Sequence, residues 1–330
     1  MTGTAVHPWR RHGPAFALLG VVAALALAGG VATGSVDIAP QRMLAALWVD
    51  DGSTEAAIVR DLRLPRTLTA FGVGALLAVA GALMQVLLRN PLGDPYVLGV
   101  SGGAAAAVLG GMLLGVAAPA QPAVAFVGAL ASMLLVFALG RPGGAPSTDR
   151  LLPTGVVVAS GWAALISFTL SLAPPGALPG MLFFLMGDLA DASTPWLTGL
   201  ALAAGLAAAF ALGRDLDLLA LGELRAMALG VDVRRLRILV YALSSLLTAV
   251  AVSTAGGVGF VGLVAPHLVR LAAGSAHRWV LPASALLGGA LLTVADTVAR
   301  VAVAPRQLPV GVITALLGVP TFLLLLYRRR

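Results

Sequence analysis

The chain has 330 residues, of which 59% are hydrophobic and 11% are charged, and its formal net charge is +7. Soluble domains usually carry about 25% charged residues, so this chain has too few polar groups to cover a water-soluble particle of its size. The composition therefore predicts an all-α polytopic membrane protein, because helices satisfy their backbone hydrogen bonds internally in lipid. The chain has no cysteine, which excludes disulfides and thiolate metal sites.

All 21 basic residues are arginine, against 14 acidic residues. Arginines at the cytoplasmic ends of spans explain the positive charge, so we expect membrane lipid and no nucleic acid as a partner. Because lysine is absent, the chain cannot hold a standard phosphate-binding loop, G-x-x-x-x-G-K-[ST]. The sequence therefore predicts that this chain does not hydrolyse ATP itself, and we expect no enzyme activity, no cofactor and no metal in it. If ATP drives it, a partner subunit binds the ATP and its magnesium.

About ten segments are predicted to cross the membrane, since some 20 apolar residues span the bilayer core. A polar loop (34–61) with a short interfacial helix around Trp48 follows the first span. The segment 256–269 is rich in glycine and crosses only if it packs inside the protein. The predicted spans are 15–33, 67–88, two within 95–140, 151–172, 192–212, 238–255, 256–269, 280–299 and 308–327.

The distribution of arginines predicts the orientation. With ten crossings and both termini inside, inner loops and termini hold 15 arginines and the outer side holds six. Cytoplasmic loops carry the excess of basic residues, so the count favours an N-in, C-in topology. If segment 256–269 does not cross, the later outer assignments reverse.

Three arginines fall at the predicted outer ends of spans. Arg63 and Arg66 precede the second span, and Arg300 ends the ninth. Two explanations remain open: the side chains anchor helix ends by snorkelling, or they form a basic rim for an acidic partner. Asp296 lies one turn before Arg300, which predicts an i,i+4 ion pair that lowers the cost of an acid near the membrane.

The cytoplasmic segment 214–237 is unusually rich in leucine for a loop. Its sequence from Leu216 to Arg237, LDLLALGELRAMALGVDVRRLR, predicts short helices separated by Gly222 and Gly230. An amphipathic element in the cytoplasm indicates a groove on a partner protein. One apolar face is predicted to contain Leu218, Leu219, Leu221, Leu224 and Leu229.

Two other functions are kept as alternatives. The motif Gly99-Val-Ser101-Gly-Gly103 places a serine in an apolar segment, so a membrane-embedded serine protease would use Ser101 as nucleophile and His267 as base. A secondary transporter would show intramembrane charges for ion coupling, and Asp296 is the one candidate.

Several motifs, in order along nearly the whole chain, resemble the FecCD-type permease family. These are permease subunits of ABC importers for iron-siderophores, haem and vitamin B12. The matching blocks are LRLPRTL (62–68), GALMQVLLRNPLGDPYVLGVSGGA (81–104), LGELRAMALGV (221–231), GGVGFVGLVAPHLVRL (256–271), LPASALLGGALL (281–292), ADTVAR (295–300) and LPVGVITALLGVPTFLLLL (308–326).

The resemblance implies one transmembrane permease domain over residues 1–330, with the type II ABC importer fold. Residues 1–13 would form a cytoplasmic N-terminus, and 214–237 a cytoplasmic coupling segment. The chain would lie in the cell membrane of a bacterium and pair with a second permease copy or a paralogue. Two ATP-binding subunits and an extracytoplasmic binding protein would complete the importer, whose ligand would be an iron-siderophore, haem or a corrinoid.

The resemblance also implies roles for individual residues. The arginines that would meet acidic residues of the binding protein are Arg63, Arg66 and Arg300. The residues that would dock into the ATPase are Glu223, Arg225, Ala226, Leu229 and Gly230.

An inner gate is implied at the start of the fifth span, at Ser147, Thr148 and Asp149. The sequence departs from the family here, because Asp149 stands in place of a small hydroxyl residue found in a relative. It departs again at Gln307, where the family often has glutamate.

Overall fold

The computed structural model describes residues 8–34, 36–49, 51–140, 148–190, 192 and 194–327. These residues are almost entirely helical, as the composition predicts. A π-helical turn (Ile58–Arg63) leads into the fourth α-helix, and short 3-10 turns (Pro95–Leu98 and Ala118–Ala120) precede the fifth and sixth. The α-helices are α1 (Pro8–Ala32), α2 (Pro40–Trp48), α3 (Thr54–Ala57), α4 (Leu64–Leu87), α5 (Val100–Leu113), α6 (Gln121–Leu139), α7 (Thr148–Leu172), α8 (Leu178–Met186), α9 (Pro195–Ala211), α10 (Gly213–Ala220), α11 (Glu223–Ala228), α12 (Val233–Ala255), α13 (Val261–Ala273), α14 (His277–Val301) and α15 (Val310–Tyr327).

Six stretches of the described helices are long and apolar enough to cross a membrane: α1, the stretch Thr54–Leu87 that contains α4, then α6, α7, α12 and α14. Helices α9 and α10 make a seventh if they are counted as one span bent by 60°. Three shorter apolar helices, α5, α13 and α15, fall where the remaining spans are predicted. Helix α13 has 13 residues, or about 20 Å of length, which is less than the ~30 Å core of a bilayer.

Helix α4 is the centre of the bundle. Most of its residues are buried, and it packs against α1, α9, α12, α13 and α14. Two of its glycines permit close helix contacts. A methyl group on Gly74 would overlap the backbone carbonyl of Gly288 in α14, and one on Gly81 would overlap that of Gly262 in α13. These contacts fix α4, α13 and α14 as one packed unit.

Helices α5, α6 and α7 form a second layer beside this unit. Ser132 of α6 joins them, because its hydroxyl donates to the Gly99 carbonyl (2.7 Å) and accepts from the Trp162 indole of α7 (2.8 Å). Only 17% of the most apolar stretch of α7 is buried, against 94% for the stretch that contains α4. The chain alone therefore leaves most of α7 uncovered.

The polar break between α4 and α5 forms a compact turn, as its proline and asparagine residues predict. Arg89 adopts a left-handed conformation (φ 47°) just after the helix ends. The Asp94 carboxylate accepts a hydrogen bond from the Tyr96 amide (2.8 Å) and caps the following 3-10 turn. Burial raises the pKa of Asp94 to about 6, because the loss of hydration disfavours the charged form.

The predicted interfacial helix in the loop after α1 is present and longer than expected. It is α2, and Trp48 at its C-terminal end is 84% exposed. Tryptophan prefers the interface between membrane and water, so its position supports the interfacial assignment. The Arg42 guanidinium of α2 binds the Glu55 carboxylate of α3 (2.9 Å), and this contact raises the pKa of Arg42.

Candidate functional site

A buried ion cluster joins α4 to α14 at the end where the outer arginines are predicted. The Arg66 guanidinium donates to both carboxylate oxygens of Asp296 at 2.8–3.2 Å and to the Gln307 side-chain oxygen at 2.9 Å. Arg300 Nε lies 3.1 Å from Asp296 Oδ2, which confirms the predicted i,i+4 pair. Asp296 is fully buried, so its charge depends on these two arginines.

The same region holds the C-terminus of α1. Arg63 donates to the carbonyls of Val31 (3.3 Å) and Ala32 (3.0 Å) and to that of Val36. The last carbonyls of a helix have no partner inside the helix and carry partial negative charge, so a guanidinium stabilises them.

Arg300 reaches the same helix end, where it donates to the carbonyls of Gly30 (2.9 Å) and Thr33 (3.2 Å). The structure thus brings together all three predicted rim arginines. Their side chains are mostly buried, with residue exposures of 5% for Arg63, 8% for Arg66 and 7% for Arg300. Each guanidinium serves an internal contact.

A cavity of about 250 Å³ opens beside this cluster. We call Arg63, Arg66, Asp296 and Arg300 the outer cluster. It contains three guanidiniums and one carboxylate, which leaves two positive charges uncompensated among these four side chains. The cavity is lined by Gly34, Val36, Ile58, Leu62, Arg63, Arg66, Ala190, Arg300 and Gln307.

The coupling segment (214–237) folds into α10, α11 and the start of α12, as short helices separated by glycines. The single apolar face predicted for its leucines is not observed. Leu219 is 1% exposed and packs inside the bundle, whereas Leu224 is 81% exposed. The large apolar side chains that remain exposed are Leu221, Leu224, Met227 and Leu229.

Glu223 anchors α11 to the bundle. Its carboxylate binds the Arg237 guanidinium of α12 and lies 3.9 Å from Arg89 at the end of α4. Ala226, on the same helix, is fully buried. Helix α11 is therefore fastened on one side, while its leucines project from the other.

The remaining coupling residues lie at the exposed end of α11. Arg225 and Leu229 are exposed, and Gly230 has φ +85° with open space where a side chain would begin. Glycine is favoured there by the left-handed backbone of the turn. Any larger residue would strain this turn before it met a neighbour.

Only part of the predicted gate falls within the residues that the structure describes. Ser147 lies outside the described residues, and Thr148 and Asp149 are the first two residues of α7. The gate assignment stays a prediction.

Comparison with known proteins identifies the family. The sequence profile of the FecCD transport family matches residues 18–328 of this chain. The chain belongs to the FecCD transport family.

Curated relatives in the family are transport permeases. The BtuC permease of the cobalamin import system in Halobacterium salinarum is 43% identical over 84% of this chain and 75% of its own length. The HmuU permease of the hemin transport system in Yersinia pestis is 40% identical over 82% of this chain and 83% of its own length. The FecD permease of the Fe(3+) dicitrate transport system in Escherichia coli K12 is 40% identical over 88% of this chain and 91% of its own length.

Solved structures agree with this membership. A metal-chelate type ABC transporter in an inward-facing conformation matches with a TM-score of 0.82 and 29% identity, over 94% of this chain and 97% of that one. PsaBC from Streptococcus pneumoniae, in complex with a Fab, has a TM-score of 0.55 at 17% identity and shares the fold alone. This FecCD-family protein is therefore a transport permease of the cell membrane with the fold of an ABC transporter permease.

The described helices give no support to the intramembrane protease. Ser101 lies near the start of α5, which packs against α6, α7 and α12. His267 is buried in α13, which packs against α4, α14 and α15, and its ring meets Phe322 edge-on. Nucleophile and base thus sit on helices with different neighbours.

Sequence reasoning gave no individual role to Arg89, or to Arg237 at the end of the predicted segment 214–237. Their contacts with Glu223 cross separations of 134 and 14 residues, so no local spacing reveals them. In the sequence, the only feature that marks these two residues is that each is an arginine next to the end of a predicted span.

Asp296→Asn should strongly destabilise the protein. The change leaves the buried Arg66 and Arg300 guanidiniums without a carboxylate, and breaking a buried ion pair on one side costs about 3–5 kcal/mol. Thermal unfolding in detergent, compared with the unaltered protein, measures the loss.

Glu55→Gln is the matched control, since it removes the carboxylate from the exposed pair with Arg42. Water screens that pair, so its loss should be much smaller. Equal effects of the two substitutions would show that the outer cluster does not hold α4 to α14.

Proposed function

We propose that this chain is the permease subunit of an ATP-driven importer that carries an iron-siderophore, haem or a corrinoid into the cytoplasm. It works with a second permease copy or paralogue, two ATP-binding subunits and an extracytoplasmic binding protein. ATP and magnesium bind to the ATPase subunits. The relatives named for cobalamin, hemin and Fe(3+) dicitrate transport support this ligand class.

The observation that carries the proposal is the exposed apolar surface of α11. Leu224 and Leu229 project from a helix that Glu223 fastens to α12. Exposed apolar clusters rimmed by charges mark interaction sites on proteins. A partner that moves this surface also moves the spans to which Glu223 attaches it.

The outer cluster supports docking of an acidic partner at the opposite end. Arg66 and Arg300 share the carboxylate of Asp296 and Arg63 does not contact it, so these four side chains carry a net charge of +2 beside the cavity. Acidic side chains of a binding protein supply the missing charge. Electrostatic complementarity of this kind mainly sets the speed and specificity of docking.

The orientation follows from the same assignment: α11 and both termini face the cytoplasm, and the outer cluster faces away from it. ATP binding and hydrolysis shift the relative stability of two conformations of the permease pair. Ligand then passes between the two permease subunits.

A secondary transporter is less well supported. Its coupling ion needs a free intramembrane charge, and Asp296 is the sequence candidate. Asp296 is fully buried and bound to both Arg66 and Arg300. Both of its carboxylate oxygens already contact an arginine, so neither is free for a coupling ion.

Uptake into proteoliposomes tests the function. The chain, reconstituted with an ATPase and a binding protein from its own genome, should accumulate a ferric siderophore, haemin or cyanocobalamin only when ATP is present. Leu224→Asp should cut this uptake by tenfold or more, because a charge in an apolar docking surface opposes binding at a cost above about 1.4 kcal/mol.

The matched control is Leu224→Met, which keeps an apolar side chain of similar size. It should retain uptake. Transport without ATP, or full activity of Leu224→Asp, would contradict the proposed coupling surface.

Docking of the binding protein tests the outer cluster. Arg63→Gln removes one positive charge but keeps an amide donor near the α1 carbonyls, so the affinity of the folded variant for the binding protein should fall about tenfold. Arg42→Gln, which removes an arginine outside the cluster, is the control and should leave the affinity near its original value.

A second measurement covers the case in which Arg63→Gln fails to fold. Docking to the unaltered permease should weaken as salt rises from roughly 0.05 to 0.5 M, because ions shorten the range over which the net positive outer cluster attracts an acidic partner. An affinity for the binding protein that changes neither with salt nor with Arg63→Gln would refute docking by charge.

A further inference from the structure

A carboxylate–imidazole contact joins the coupling segment to α14. Asp217, in α10, accepts a hydrogen bond from the backbone amide of His277 (2.8 Å), and the same carboxylate oxygen lies 2.6 Å from Nδ1 of the His277 ring. His277 is the first residue of α14. The two residues lie 60 positions apart, so the contact fastens two separate parts of the chain.

Each half of this contact has a physical reason. The first amides of a helix have no partner within the helix, and an acid near them is favoured by the helix dipole. The ring adds a second hydrogen bond, with Nδ1–H donating to the carboxylate. The His277 side chain is 1% exposed and the Asp217 side chain 40% exposed, so the pair lies between the bundle and the cytoplasm.

Helix α14 continues from this contact to the outer cluster. His277 and Asp296 are 19 residues apart on one unbroken helix, or about 28 Å at 1.5 Å per residue. Along the way α14 packs tightly on α4, where Gly288 meets Gly74 without room for a methyl group. Helix α14, which contains Pro282 one turn after His277, is thus the continuous path between the two contacts.

The coupling segment has another side-chain attachment, from Glu223 to Arg237 and Arg89. That attachment leads to α12 and α4. The Asp217 contact leads to α14, which carries Asp296 and Arg300. The two attachments thus connect the coupling segment to different helices.

We propose that Asp217 and His277 are positioning residues that transmit movement of the coupling segment to α14 and through it to the outer cluster. Binding-protein docking outside and ATP hydrolysis inside are then coupled through this joint. The proposal rests on the function proposed above. Such coupling is reciprocal, and it typically changes an affinity or equilibrium 5- to 150-fold.

Stimulation of ATP hydrolysis by the ligand-loaded binding protein measures the coupling, in proteoliposomes that contain the whole importer. Asp217→Ala should reduce this stimulation by about fivefold or more. Basal hydrolysis and binding of the ATPase should be unchanged, because the leucines of α11 remain in place. Asp217→Asn keeps an oxygen that accepts both hydrogen bonds, so it should restore most of the stimulation.

Asp215→Ala, two residues away in α10, is the matched control and should keep full stimulation. If Asp217→Ala does not fold, His277→Gln provides the test, because it leaves the backbone amide capped and removes only the ring contact. It should also lower the stimulation.

The outcomes separate the two proposals. If the unaltered importer shows no ATP-driven uptake, the proposed function fails. Suppose instead that the loaded binding protein stimulates ATP hydrolysis by the unaltered importer and by every folded Asp217 or His277 variant to the same extent. The transmission role is then refuted and the proposed function stands.

Discussion

The end of the bundle that contains the outer cluster depends on one buried carboxylate. Asp296 is fully buried in α14, where it binds Arg66 of α4 and Arg300 one turn further along. A buried charge without partners is very costly, so these three side chains must stay together. Arg300, with Arg63, also holds the last carbonyls of α1. Three helices are thereby fixed at the end where a binding protein is proposed to dock.

The two ends of the bundle use different chemistry. At the outer end, charges are buried and paired, and the excess is positive. At the end that contains α11, Leu224 and its apolar neighbours are exposed, while Glu223 fastens their helix to the bundle. Helices α4 and α14 run between these ends in close contact. This arrangement fits the proposed docking of an acidic binding protein at one end and of an ATPase on an apolar surface at the other.

The sequence was sufficient for the helical fold, most helix positions, the short glycine-separated helices of segment 214–237 and the Asp296–Arg300 pair, because these follow from local periodicity and spacing. It could not predict that the rim arginines are buried, since Arg63 caps a helix about 30 residues earlier and Arg66 binds Asp296 230 residues later. The split between buried Leu219 and exposed Leu224 also depends on tertiary packing. The gate lies at the edge of the described residues and remains a prediction from the resemblance.

The central claim is that α11 lies on the cytoplasmic face and is covered by a separate ATPase. The chain has no cysteine, so Leu224→Cys provides a single site for a membrane-impermeant maleimide. The account predicts labelling in inverted membrane vesicles, none in intact cells or spheroplasts, and protection when the ATPase is bound. Labelling from the outside, or labelling inside that the ATPase does not reduce, would contradict it.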